Sequence, residues 1–217
     1  MTGSITKKEK IALISNYLDL QFPNVGCELN FSNNLELLTS VLLSAQCKDE
    51  YVNRATISLF DRYKTIDDYA DADVSEIESY IKTLGLYKAK SKNIKAMAEM
   101  LRDNYNYEIP SNREDLVKLP GVGRKTANVV MSVGFDIPAI AVDTHVERIS
   151  KRLGLAKEKD SVLVVEEKLM KAFPKKDWGK IHHQLIHFGR YKCKAKKPEC
   201  FNCELKNICS YKDKTGE

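Results

Sequence analysis

The 217-residue sequence lacks any apolar run that approaches the ~18 residues needed to cross a bilayer, and its opening stretch, Met1 to Lys10, is polar. These absences predict neither membrane insertion nor secretion and place the chain in the cytoplasm. Alternation of apolar and polar residues at period two is nearly missing, which argues against a sheet. Low-complexity tracts and solenoid-length repeats are absent too. Disorder is excluded for most of the length, because 43% hydrophobic and 30% charged residues are globular proportions. The length suits one large domain or two small lobes at roughly 150 residues per domain.

What is present is helical periodicity, and the fold class it predicts is all-α. Thr6 and Glu9 have the spacing of a capping box before Ile11, Ile14 and Leu18, a one-face stripe that ends ahead of Pro23. Leu35 to Ala45 is apolar nearly all round and reads as a central helix; Val52, Thr56, Leu59, Phe60 and Tyr63 mark an amphipathic one. Asp73 and Glu76 predict a capped helix through Leu84, with Gly85 ending it in a left-handed conformation. Ile94 to Leu101 predicts another helix, and Ser111 with Glu114 caps a short one stopped by Pro120. Further helices are expected at about 144–153, 162–173 and 177–188, before an irregular end.

Charge and cysteine are unevenly spread. The net charge is +5, yet between Arg190 and Glu217 eight Lys or Arg face four Asp or Glu, so that stretch carries most of the excess and suggests contact with a polyanion. Cys27 and Cys47 are isolated, whereas Cys193, Cys200, Cys203 and Cys209 fall within 17 residues. In a reducing compartment such spacing reads as metal binding before disulfides. Four thiolates suit zinc or an iron-sulfur cluster, and ligand type alone does not choose.

In Leu119-Pro-Gly-Val-Gly-Arg-Lys-Thr126 two glycines permit a tight turn that leaves backbone N–H groups at a helix N-terminus pointing outward, a site that attracts phosphate. A plain helix-helix turn is the bland reading. Arg124 and Lys125 at the exit change the balance, because a lysine at the positive end of a helix is locally unfavourable. A cost without structural return suggests a task. Burial would disfavour the charged amine further and turn Lys125 into a nucleophile, the alternative being a solvated, phosphate-binding lysine.

Together these segments resemble the endonuclease III family of DNA base-excision glycosylases, within the helix-hairpin-helix superfamily. The residues that carry the resemblance are Leu119 to Asn128 as the hairpin, Ala141-Val-Asp-Thr-His-Val146 as the catalytic aspartate segment, Leu42 to Gln46 and Ile81 to Leu86 as DNA-facing segments, and the terminal cysteine spacing. The resemblance implies two helical lobes with a DNA cleft between them: a six-helix lobe with the helix-hairpin-helix over residues 28–136, and a cluster lobe of 1–27 plus 137–217. It implies a [4Fe-4S] cluster on Cys193, Cys200, Cys203 and Cys209. It makes Lys125 the nucleophile that forms a Schiff base at C1′, with Asp143 assisting deprotonation or stabilising the sugar's charge; as a helix N-cap, Asp143 would also be held in place. Gln46 and Leu86 match positions inserted into DNA, as orphan-base partner and apolar wedge. Gly121, Val122, Gly123, Arg124, Arg190, Lys194, Lys196 and Lys197 are the expected phosphate contacts.

The expected partner is double-stranded DNA bearing oxidised pyrimidines or abasic sites, bound by a monomer with glycosylase and β-elimination (AP lyase) activities. His145 is expected to be a solvated helix-start residue, and His182, His183 and His187 surface or packing residues. A monofunctional mismatch glycosylase for adenine or thymine is the enzymatic alternative, against which Lys125 argues. A non-enzymatic hairpin module that only binds DNA is the other.

Overall fold

The computed structural model describes residues 5–215. The first four residues and the last two, which belong to the expected cluster lobe and basic tail, lie outside them. All regular elements among the described residues are helical, as expected, and no helix is long and apolar enough to cross a membrane. The chain divides into two compact units, Glu28–Ile137 and a discontinuous one in which the residues up to Cys27 join those from Pro138 onward.

The continuous unit is built on α2 (Asn34–Leu43), whose run Leu37 to Leu43 is buried throughout. A helix apolar on all faces is a core element, and this one has neighbours on every side. Around it lie α3 (Asp49–Arg62), α4 (Ile66–Ala70), α5 (Val74–Ile81), α6 (Tyr87–Tyr105), α7 (Arg113–Leu116) and α8 (Arg124–Gly134). Ile94, Met97, Ala98 and Leu101 form the buried stripe of α6 at helical spacing. The helix α4 escapes periodicity because it is barely longer than one turn; a capping box between Thr65 and Asp68 starts it.

Several helix ends differ from expectation. Gly85 does not take the left-handed conformation; Leu86 does, at φ 61°, and α6 begins one residue later. Asp73 sits at the start of α5 without a side-chain cap bond. For α7 the cap is Asn112, not Ser111: its Oδ1 accepts from Asp115 N at 2.9 Å.

In the discontinuous unit α1 (Lys7–Gln21) starts with the expected box, Thr6 Oγ1 accepting from Glu9 N while Glu9 Oε2 accepts from Thr6 N. It packs Ile14, Tyr17 and Leu18 into one core with side chains of α9 (Thr144–Arg152), α10 (Val162–Ala172) and α11 (Trp178–His187). Val146 and Ile149, Val165 and Leu169, and Ile181 and Leu185 are the i, i+3 and i, i+4 pairs that close it. A π-turn, Phe188–Lys192, follows α11 and delivers the chain to the cysteines.

Candidate active site and cysteine cluster

The glycine turn divides its work unequally. Gly121 has φ +78°, and a Cβ there would lie 2.9 Å from Asn93 Nδ2 and 3.0 Å from Leu42 Cδ1, so the fold itself demands glycine. Gly123 has an extended backbone, and a Cβ would meet nothing within 4 Å. It is the N-cap of α8 and supplies no side-chain acceptor for the N–H groups of the first helical turn. Open space beside Gly123 leaves room for an anion at the start of the helix. Val122 between the glycines is buried and its N–H donates to Leu119 O at 3.0 Å.

Lys125, the second residue of α8, is exposed. The protein alone does not supply the burial invoked for a neutral amine, so any desolvation of Lys125 has to come with a bound substrate. Further along α8, Asn128 is 1% exposed and its Oδ1 accepts from Arg113 Nε at 2.7 Å, which ties α7 to α8 behind the turn.

Gln46 and Leu86 stand out in the same unit. Both are exposed and both are non-glycine residues in the left-handed region, at φ 56° and 61°. Leu86 leaves 58% of its surface in solvent, so it does not serve as the apolar cap contact that a leucine after a helix commonly makes. An exposed leucine in the left-handed region is a cost within the folded chain.

In the other unit, Asp143 is the N-cap of α9: Oδ1 accepts from His145 N at 2.9 Å and Val146 N at 2.8 Å. One carboxylate oxygen does all the capping and the other takes no part in it. His145 departs from its expected solvation. It is half-buried, its Nδ1 lies 3.2 Å from an Arg148 guanidinium nitrogen, and burial is the main influence holding its pKa below the usual histidine value. Gly189 explains the crowding, because a Cβ there would fall 2.9 Å from His145 Cβ. His182 is buried and packs on His183, and His187 packs on Phe22 and Tyr191, in line with packing roles.

The four terminal cysteines sit at turn positions: Cys193 ends the π-turn, Cys200 opens one 3-10 turn, Cys203 precedes another, and Cys209 N donates to Leu205 O. They share one electrostatic neighbourhood. Burial raises the pKa of Cys193 and Cys203, and neighbouring thiols raise both further: Cys209 and Cys200 for the first, Cys193 and Cys209 for the second. A cavity of about 20 Å³ is lined by Cys193, Cys200, Cys203, Phe188, Pro198 and their neighbours. No group of three or more His, Cys, Asp or Glu among the described residues is gathered tightly enough to hold a single metal ion.

Sequence reasoning missed the residue that organises this segment. Arg152, 7% exposed at the end of α9, donates to Lys194 O at 2.7 Å, Ala195 O at 3.0 Å and Cys193 O at 3.3 Å, and reaches Cys193 Sγ at 3.3 Å. Its guanidinium also lies 4.0 Å from the Tyr211 ring centroid. Arg148 adds a bond to Gly189 O at 2.8 Å. Their only sequence signal is a spacing of four residues on one helix, which looks like an ordinary basic face. Of the expected phosphate contacts here, Lys194 is paired with Glu199 at 3.0 Å, Lys196 and Lys197 are exposed, and Arg190 is half-exposed.

A family model, the HhH-GPD superfamily of base excision DNA repair proteins, matches residues 39–175. Endonuclease III of Bacillus subtilis (strain 168) is 54% identical over 198 residues, which is 90% of each chain. Endonuclease III of Escherichia coli (strain K12) is 46% identical over 192 residues, 88% of this chain and 90% of its own. Among solved structures, an endonuclease III trapped as a covalent intermediate with DNA superposes with a TM-score of 0.92 at 51% identity, covering 95% of this chain and 97% of that one. With its hairpin and its aspartate segment inside residues 39–175 and relatives of 46–54% identity covering most of its length, the chain belongs to the endonuclease III family of the HhH-GPD base excision DNA repair superfamily.

Proposed function

We propose that the chain is a bifunctional DNA glycosylase and AP lyase in which Lys125 is the nucleophile and oxidised or ring-saturated pyrimidines are the substrates. One observation carries the reading: an exposed lysine, Lys125, lies two residues after Gly123, where the chain leaves room for an outside group beside the N-terminus of α8, which has no side-chain cap. Phosphate seated there would hold the backbone of the nucleotide whose sugar Lys125 attacks. That a relative with 51% identity has been trapped in a covalent intermediate with DNA supports it.

The chemistry follows from the groups. The glycosidic bond of a stacked base is out of reach, so the nucleotide must leave the duplex, at a cost of a few kcal/mol. Leu86 and Gln46, exposed and already held in left-handed conformations, suit filling the gap and hydrogen-bonding the orphaned base. The Lys125 amine forms a bond to C1′ as the base departs with the glycosidic electron pair. Ring opening gives a protonated Schiff base, whose electron demand lets the C2′ proton leave and the 3′ phosphate depart by β-elimination. Asp143, fixed by its cap bonds, supplies negative charge that stabilises positive charge developing on the sugar.

The terminal cysteines suit a [4Fe-4S] centre. Cys193, Cys200 and Cys203 line a small cavity, Cys209 belongs to the same electrostatic neighbourhood, and four thiolates are the donor set that such a centre uses. Bound there, the group cross-links a segment with little core of its own. The site of action is DNA in the cytoplasm.

Borohydride reduction during reaction with abasic-site duplex tests the reading. The expected result is a covalent protein–DNA adduct at Lys125 and none with Lys125→Ala, while the variant loses on the order of 10³-fold or more in strand cleavage. A monofunctional glycosylase or a purely binding hairpin gives no adduct from either protein.

A further inference from the structure

Two reactive side chains of the continuous unit stand outside the roles assigned above. Lys90, on α6, is only 4% exposed, and its Nζ donates to Leu43 O at 2.8 Å, at the end of α2. The same nitrogen lies 3.2 Å from Cys47 Sγ. Cys47 is half-buried, so small solutes can reach it, and its Sγ is 4.0 Å from Gly85 O. A buried ammonium needs strong acceptors, and the carbonyl bond is what a structural lysine capping a helix end would make. Sulfur is a weak acceptor and adds little to that role. An amine in contact with a partly accessible thiol is instead the setting in which cysteines react.

We infer that Cys47 and Lys90 form an oxidation-sensitive pair, in which a hydroperoxide converts the Cys47 thiol to sulfenic acid and Lys90 then captures that sulfur in an S–N bond. In the first step the sulfur takes one peroxide oxygen, and water leaves from hydrogen peroxide or the alcohol from an organic hydroperoxide; the thiol is oxidised and the peroxide reduced. In the second, the sulfenate oxygen takes two protons from the Lys90 ammonium and departs as water while the nitrogen lone pair bonds to sulfur. No further oxidant is needed. The contact distance means that neither the turn that carries Cys47 nor α6 has to move far for the bond to form.

The position gives the bond a consequence, which rests on the proposed function. Cys47 follows Gln46 directly, and Lys90 lies one helical turn beyond Leu86, whose carbonyl accepts from Lys90 N at 3.0 Å. A covalent tie between residues 47 and 90 therefore fastens together the two left-handed segments that would enter DNA. It holds them in their DNA-free arrangement.

The experiment uses the full, cluster-loaded chain and hydrogen peroxide, read by peptide mass mapping. The expected product joins the peptides that contain Cys47 and Lys90, two hydrogens lighter than their sum, and is released by dithiothreitol; Cys47→Ser does not form it. Cleavage of abasic duplex is expected to fall several-fold after peroxide in the wild type, to recover with dithiothreitol, and to persist in Cys47→Ser. Finding Cys47 unmodified, or carried to sulfinic acid with no S–N product, while the cluster cysteines oxidise overturns the pair. Equal loss of cleavage in Cys47→Ser overturns its effect on DNA. The mass readout stands apart from cleavage, so a failure of the glycosylase reading leaves it intact.

Discussion

Asp143 joins two jobs in one side chain, and substitutions can separate them. Asn at this position retains an oxygen that accepts from His145 N and Val146 N, so α9 should keep its start within a few tenths of a kcal/mol. Ala removes the cap and should cost about 0.5–2 kcal/mol in thermal or urea unfolding. Base release should fall in both by roughly 10²–10³-fold if negative charge at the sugar is what matters. An Asp143→Asn protein with full activity would show that the residue only caps. The place of Lys125 at the start of α8 and the cap role of Asp143 were legible because each lies in a short local motif. Arg152 and Lys90 were not, since their partners are 41–47 residues away and nothing in a local window marks a lysine or arginine that turns inward.

At the scale of elements, the glycine turn predicts two opposite phenotypes one residue apart. Gly121→Ala meets Asn93 and Leu42 and needs φ +78°, so it should destabilise the chain by about 1–3 kcal/mol. Gly123→Ala has room, and its melting temperature should stay near that of the wild type while affinity for abasic duplex drops, because the methyl occupies space left for phosphate. Thermal unfolding and a DNA titration on the same two proteins check this. The helix α4 offers a pH test. Asp68 accepts from the backbone N–H groups of Thr65 and Lys64, both at 2.8 Å, and these bonds hold its pKa below the usual carboxylate value. A depressed pKa means stability that is fully present above the unfolded value of ~3.9 and is lost as pH falls through the folded one. The melting-temperature gap between wild type and Asp68→Asn should therefore close as pH drops below ~4. The longer helices were readable from periodicity, whereas α4 was too short to show any and the helix ends were less legible. Asn112 replaces Ser111 as a cap, since adjacent Ser and Asn are equally good acceptors and spacing alone does not choose between them, and Leu86 takes the conformation expected of Gly85 one residue later.

For the whole molecule, the basic excess near the end of the chain is a long-range electrostatic feature. Lys196 and Lys197 are exposed, whereas Lys194 is already paired with Glu199. Replacing Lys196 and Lys197 by Ala should reduce the salt slope of DNA affinity by roughly 2 if both reach phosphate, since each neutralised phosphate contributes about 0.9. Fluorescence titrations across a range of potassium chloride concentrations measure it. An unchanged slope would place these lysines away from the nucleic acid.

The division of the chain carries a consequence for its birth. Residues 28–137 form a unit complete in themselves, while α1 belongs with partners that begin at Pro138. As the ribosome extrudes the polypeptide, the middle can settle while its leading helix still has nothing to pack against. The apolar face of Ile14 and Leu18 then stays uncovered until residues from Pro138 onward have emerged, a delay in which it is open to non-native association.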